Sequence, residues 1–94
     1  MDTEPSISLD VLARYAGDSA SEVAGVAALG RAVDVTESDG IVDLTLHIEL
    51  EWGRGAVEVG KDAQRRVREY VERMTSKKIG DVAVVVERVS APPT

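Results

Sequence analysis

From Val42 onward the chain alternates. Val42, Leu44, Leu46, Ile48, Leu50 and Trp52 are apolar, and Asp43, Thr45, His47, Glu49 and Glu51 between them are polar. Successive side chains of a strand point to opposite faces, so this period of two gathers every apolar group on one side. The pattern predicts a strand over residues 41–52 that is buried on one face and wet on the other. Trp52 continues the inward set and is expected in the core.

Upstream the spacing changes to three and four. Leu12, Tyr15, Ala16, Ser19 and Val23 form one stripe, with Arg14, Asp18, Ser21 and Glu22 away from it. This predicts an amphipathic helix from Leu9 to about Val23. Ser8 is placed as its N-cap, Asp10 suits the dipole of its first turn, and Gly25 is expected at C′. Residues 26–29, Val-Ala-Ala-Leu, read as a short apolar connector. Residues 31–36 read as a second strand, with Val33 and Val35 inward. Residues 37–40, Glu-Ser-Asp-Gly, read as the hairpin turn that joins it to the alternating strand.

Beyond the Gly53-Arg54-Gly55 break, Ala56, Val59, Ala63, Val67, Tyr70, Val71 and Met74 share one helical face. A second helix is predicted from 56 to about 75. On its polar side Asp62–Arg66, Arg65–Glu69, Arg68–Glu72 and Glu69–Arg73 stand four apart and are expected to pair, each contributing a few tenths of a kcal/mol. Residues 81–89 close the domain as a valine-rich third strand. There Val82, Val84 and Val86 face the helices, and Ala83 and Val85 face out. Residues 1–5 and 90–94 read as loose tails, and residues 6–8 have room for a very short strand in front.

The expected fold is therefore α+β, in the order helix-strand-strand-helix-strand. A mixed three-stranded sheet carries both helices on one face, a two-layer arrangement. The domain spans residues 6–89.

Composition narrows the function. The chain has 94 residues and no cysteine, so disulfides and thiolate metal sites are excluded. No stretch approaches the ~18 apolar residues of a membrane span, and the first residues do not read as a secretory signal, so a cytoplasmic protein without direct membrane insertion is expected. The net charge of −6 argues against nucleic acid as a partner. That charge is unevenly spread. Residues 1–53 hold two basic and eleven acidic groups, whereas residues 54–78 hold eight basic and four acidic. The positive charge sits on the second helix and its flanks.

Candidate chemistry is sparse. His47, with Glu49 and Glu51 on the same side, offers one imidazole and two flexible carboxylates, a poor ligand set; a solvated histidine is the better reading. Asp43, Glu49 and Glu51 on an open strand lack the desolvation that would set one acid apart from another for catalysis. Gly53-Arg54-Gly55 matches neither phosphate-binding glycine pattern. The strand and helix order resembles RNA-binding KH-type modules, but their Gly-x-x-Gly loop is missing, so a nucleic-acid-binding module stands only as the alternative. A small-molecule binding protein would need a concave pocket for which this short chain has little room. No cofactor is implied, and an enzyme is not expected. What remains is surface: Arg65, Arg66, Arg68 and Arg73 on the second helix, and Ala83 and Val85 on the outer sheet face, are the candidate interaction residues.

Taken together the chain resembles the alkaline shock protein family, bacterial proteins linked to envelope stress. The residues that carry the resemblance are Ile7-Ser8, then Glu22-Val23-Ala24-Gly25-Val26-Ala27-Ala28-Leu29, then Leu50-Glu51-Trp52-Gly53. Gln64, Val67, Val71, Glu72 and Met74-Thr75 follow on the second helix, and Val82-Ala83-Val84-Val85-Val86 closes the match. It covers about residues 6–89. An Ile-Pro pair usual before the second helix corresponds here to Ala56-Val57, and Met-Thr-Gly becomes Met74-Thr75-Ser76. The resemblance implies a non-enzymatic protein that self-associates and lies near the membrane through a membrane-anchored protein partner, acting as a scaffold or adaptor.

Overall fold

The computed structural model describes residues 6–92. The elements run α1 (Leu9–Ser21), β1 (Val26–Leu29), β2 (Asp34–Ser38), β3 (Ile41–Leu50), α2 (Ala56–Thr75) and β4 (Lys78–Val89). β3 lies at the centre. β2 pairs antiparallel with its first half, from Asp34↔Thr45 to Ser38↔Ile41, and β1 pairs antiparallel with its last residues, from Val26↔Leu50 to Leu29↔Ile48. β4 runs parallel along the whole of β3, from Ile41↔Lys78 to Leu50↔Val89. A strand has two edges, so β1 and β2 share one and β4 takes the other. Four strands fill three positions of a mixed sheet, and both helices cover one face. This is the α+β two-layer fold, with one strand more than the pattern predicted.

The extra strand is β1, where a connector was expected. Val26-Ala27-Ala28-Leu29 is too short to show a period, yet Glu51 N–H donates to the Gly25 carbonyl and Gly30 N–H to the His47 carbonyl, each at 2.8 Å. Backbone pairing with β3 makes it a strand, and backbone pairing leaves no side-chain pattern to read. Residues 6–8, by contrast, are not a strand. Ser8 caps α1 as expected, its hydroxyl accepting from Val11 N–H at 3.2 Å. The helix stops at Ser21 with Glu22 as C-cap, so Gly25 is not its C′ residue. Gly25 is needed all the same: its φ is +98°, and a Cβ there would stand 2.5 Å from Val59 Cγ2. It lets the loop pass against α2.

The β2–β3 hairpin is tighter than expected. Ser38 and Ile41 still pair, leaving Asp39 (φ 53°) and Gly40 (φ 78°) as a two-residue turn with both centres left-handed. That is the type I′ geometry Asp-Gly favours, and it moves β2 two to three residues along from 31–36. The start of β4 also moves, from 81 to Lys78. Arg68 donates to the Ile79 carbonyl at 2.7 Å and Glu72 accepts from Ile79 N–H at 3.1 Å, which ties this edge to α2. Those two side chains were expected to pair with each other.

The core holds the even residues of β3 together with Leu12, Ala16, Val33, Val59, Ala63, Val67, Val71, Ile79 and Val82. Leu12, Leu44, Leu46 and Ile48 are fully buried, each contributing about 1.5–3 kcal/mol by transfer from water. α1 packs over β1, β2 and β3, and α2 over β4. The buried stripe of α2 is Val59, Ala63, Val67, Val71 and Thr75, a run of four-residue steps. Thr75 replaces the expected Met74, which is exposed with Ala56. The Thr75 hydroxyl satisfies itself by donating to the Val71 carbonyl at 2.7 Å.

Trp52 is the clearest departure. β3 ends at Leu50, Gly53 turns the chain with φ 84°, and the indole is 59% exposed rather than in the core.

Candidate functional site

Three surfaces remain after the core is accounted for. The first is the outer face of the sheet, which no helix among the described residues covers. His47 lies at its centre, and it is not solvated. It is only 9% exposed because β2 and β4 reach over it. Nε2 stands 2.8 Å from Asp34 Oδ2, and Nδ1 stands 3.1 Å from Glu87 Oε2. Arg31 Nη2 meets the same Glu87 oxygen at 2.9 Å. A register shift builds this arrangement: Ile48 pairs with Val86 but Glu49 with Arg88, so Glu87 is the extra residue of a bulge. The odd position put His47 on the correct face, but no alternation marks a bulge, and the carboxylates that close over it were invisible in the sequence.

This cluster joins three strands. Asp34 comes from β2, His47 from β3 and Glu87 from β4. Its two carboxylates sit on opposite ring nitrogens, so they cannot converge with the imidazole on a single ion. Among the described residues no group of three or more His, Asp or Glu side chains could hold a metal. Asp43, one of the three acids considered for catalysis from the sequence, accepts the Asp81 N–H at 2.8 Å and so ties the first part of β4 to β3. Glu51 faces Arg54 at 3.4 Å. Beside His47 the outer face turns apolar: Val85, its register partner on β4, is 41% exposed, Ala83 is exposed, and Ile41 farther along β3 is open as well.

The second surface is the outward side of the helices. Ser19 of α1, its C-cap Glu22, and Arg65, Arg66, Glu69, Tyr70 and Arg73 of α2 line a hollow there. Arg65 faces Asp62 at 3.3 Å. Arg73 lies over the Tyr70 ring, 5.6 Å from its centroid, and Tyr70 meets Tyr15 edge-on at 5.9 Å. The expected Asp62–Arg66, Arg65–Glu69 and Glu69–Arg73 pairs do not form. Exposed pairs on a helix contribute little, so the nearer Asp62 and the Tyr70 ring outcompete them. Arg66 and Arg73 have no carboxylate in ion-pair reach among the described residues.

The six predicted interaction residues therefore do not make one site. Arg65, Arg66 and Arg73 share the helix-side hollow. Arg68 belongs to the α2–β4 tie through Ile79. Ala83 and Val85 lie on the opposite side of the molecule.

The third surface was missed by sequence reading. Ala56, Val57, Gly60, Lys61 and Gln64 of α2 and Val84 and Val86 of β4 line a groove of about 380 Å³ along the free edge of β4. Val57 is 70% exposed there. The apolar stripe of α2 did include Ala56, but as core; the groove arises because α2 leans over an edge strand with nothing beyond it.

No protein-family model matches this chain, and no curated protein does. Solved structures do. The chain is similar to a manganese form of a MamM CTD variant, at 14% identity and a TM-score of 0.62, over 86% of this chain and 99% of that one. Another MamM CTD variant gives 13% identity and a TM-score of 0.65, over 89% and 100%. A zinc form gives 14% and 0.62, over 89% and 88%. At these identities the likeness is one of fold. No helix among the described residues is long and apolar enough to cross a membrane.

Proposed function

We propose that this protein works by association rather than catalysis, as a scaffold or adaptor that self-associates and docks a protein partner. The observation that carries this reading is the apolar surface left on β4 and the outer sheet face. Val85, Ile41 and Val89 are exposed there, and Val84 and Val86 are half-covered. Exposed apolar residues that cluster on a small domain mark contact surfaces. The helix-side hollow adds a second, electrostatic surface, suited to an acidic segment of a partner, where Arg66 and Arg73, neither paired with a carboxylate among the described residues, steer the encounter.

The resemblance to alkaline shock proteins supports a finer version, in which the chain serves the envelope stress response near the membrane through a membrane-anchored partner. The MamM CTD structures include manganese, nickel and zinc forms, which raises a metal-linked role as a second reading. The histidine cluster does not favour it, because His47 spends both ring nitrogens on carboxylates.

Sedimentation of the purified chain at high micromolar concentration tests the proposal. Reversible association is expected, weakened but not abolished by salt, since apolar contact supplies most of the affinity. A strict monomer that also recovers no partner from host extract overturns it.

A further inference from the structure

We propose that β4 pairs through its free edge with β4 of a second copy, antiparallel about a two-fold axis at Val84. This rests on the self-association reading and names its surface. β4 is a 12-residue strand that, among the described residues, pairs only with β3. Beyond Ile79, whose N–H and C=O are taken by Glu72 and Arg68 of α2, its far edge presents backbone N–H and C=O groups to solvent, a template for another strand. Register shifts interrupt the β3–β4 ladder near both ends, but Val82 to Val86 run in step with Leu44 to Ile48. That regular stretch, Val-Ala-Val-Val-Val, contains no charge, proline or glycine.

The inner layer is unfinished at this rim. Val84 and Val86 point toward the helices yet are only half-buried, whereas Leu46 and Ile48 directly beside them on β3 are fully buried. The groove under α2 lies along these two valines. One more strand beside β4 would cover them.

A second copy of the same strand fits this edge. Pairing about Val84 sets Val82 opposite Val86 and Val84 opposite itself on the inner face, and Ala83 opposite Val85 on the outer face. Every opposed pair in the stretch is apolar. Moving the axis to Val85 would set Ala83 against Glu87 and Val82 against Arg88. Moving it to Ala83 would set Ile79 against Glu87 and Lys78 against Arg88. Shifting the register by one residue would bring inward side chains against outward ones. The flanking charges also favour the Val84 axis. Lys78 with Asp81 balance one end and Glu87 with Arg88 the other, so reversing the strand brings two neutral ends together. Asp81 then faces Glu87, whose carboxylate is already held by Arg31 and His47 of its own chain. The contact is isologous and closes at two copies.

The chain has no cysteine, so single thiols report the geometry cleanly. Under mild oxidation Val84→Cys is expected to cross-link to itself. Ala83→Cys and Val85→Cys should each cross-link poorly alone but efficiently when mixed, because residue 83 opposes residue 85 across the axis. The double variant Ala83→Lys, Val85→Lys changes only exposed positions. It should melt as the wild type does at low concentration while its dimer dissociates at least tenfold more readily. If the wild type dimerises but Val84→Cys fails to cross-link, or all three thiols cross-link equally alone, the edge is not the interface and the association reading stands without it. A wild type that is strictly monomeric removes both. A monomer whose β4 amides gain exchange protection only from an added valine-rich peptide assigns the edge to an extended peptide and overturns the second-copy proposal.

Discussion

The two faces of β3 carry the same number of side chains and follow opposite rules. On the inner face Val42, Leu44, Leu46, Ile48 and Leu50 are all buried, and any one of them could be foreseen from its parity alone. On the outer face each residue has its own environment. Asp43 holds the first part of β4, Thr45 is half-covered between Asp34 and Ala83, His47 is closed in by two carboxylates, and Glu49 lies near Arg88. The inner face is governed by removal from water, which is non-directional and needs only the correct side. The outer face is governed by hydrogen bonds and charge, which depend on register, bulges and neighbours. A face of the first kind is written in hydropathy, and a face of the second kind is written in geometry.

The sharpest way to break this contrast is to move charge from one face to the other at adjacent positions. Leu46→Asp buries a carboxylate with no partner in the apolar core, where Leu46 is fully buried, at a cost of roughly 4 kcal/mol or more. For a domain of this size that is most or all of the stability. Thr45→Lys places a positive charge directly opposite Asp34, where an opposed charge pair is neutral or mildly stabilising by about 0.2–1 kcal/mol. Urea melts of the two variants should differ by several kcal/mol. Equal stability would mean that the register of β3 is misassigned.

A smaller effect is expected at His47. His47→Ala removes the hydrogen-bond partner of Asp34 and one partner of Glu87, while Glu87 keeps Arg31. Asp34 is well exposed and can turn to water, so the loss should be about 1–2 kcal/mol rather than the larger cost of a buried orphan. Hydrogen exchange sharpens the measurement. Protection should fall where β2 and the bulge at Glu87 meet β3, while the inner residues of α1 and α2 keep theirs. A change below about 0.3 kcal/mol would make the cluster a surface coincidence.

The same contrast explains how much could be read beforehand. The span of α2 and the inward set of β3 are legible because twenty residues of helical period and ten of strand period leave little choice. β1 is not legible, since four residues have no period and its evidence is a pair of backbone hydrogen bonds at 2.8 Å. The hairpin was readable from Asp39-Gly40, but its exact length depended on which residues closed it. The bulge that delivers Glu87 to His47 has no sequence mark at all. The groove beside β4 was hidden for a different reason. Hydropathy shows that Val84 and Val86 turn inward, but it cannot show that the helix above them leaves one side open.

The smallest effect, and the test of where the inner face stops, is at Trp52. Its even number extends the inward series, and burial of an indole would make it one of the largest contributors to a core that contains no phenylalanine. The backbone decides otherwise. Trp52 N–H donates to the Ser90 hydroxyl at 3.0 Å, Gly53 reverses the chain at φ 84°, and the ring is left mostly in water beyond the last paired residue. The hydrogen bond that holds this corner uses the main chain, so it survives loss of the side chain. Trp52→Ala should therefore shift stability by no more than about 0.5 kcal/mol, where truncation of a packed tryptophan costs about 3–5. Trp52 is the only tryptophan, so the fluorescence of the wild type gives an independent reading. Its emission in the folded monomer should already lie close to that of the unfolded chain and should be quenched readily by iodide. Blue-shifted, protected emission together with a cost above 2 kcal/mol would extend the inner face past Leu50 and return Trp52 to the core.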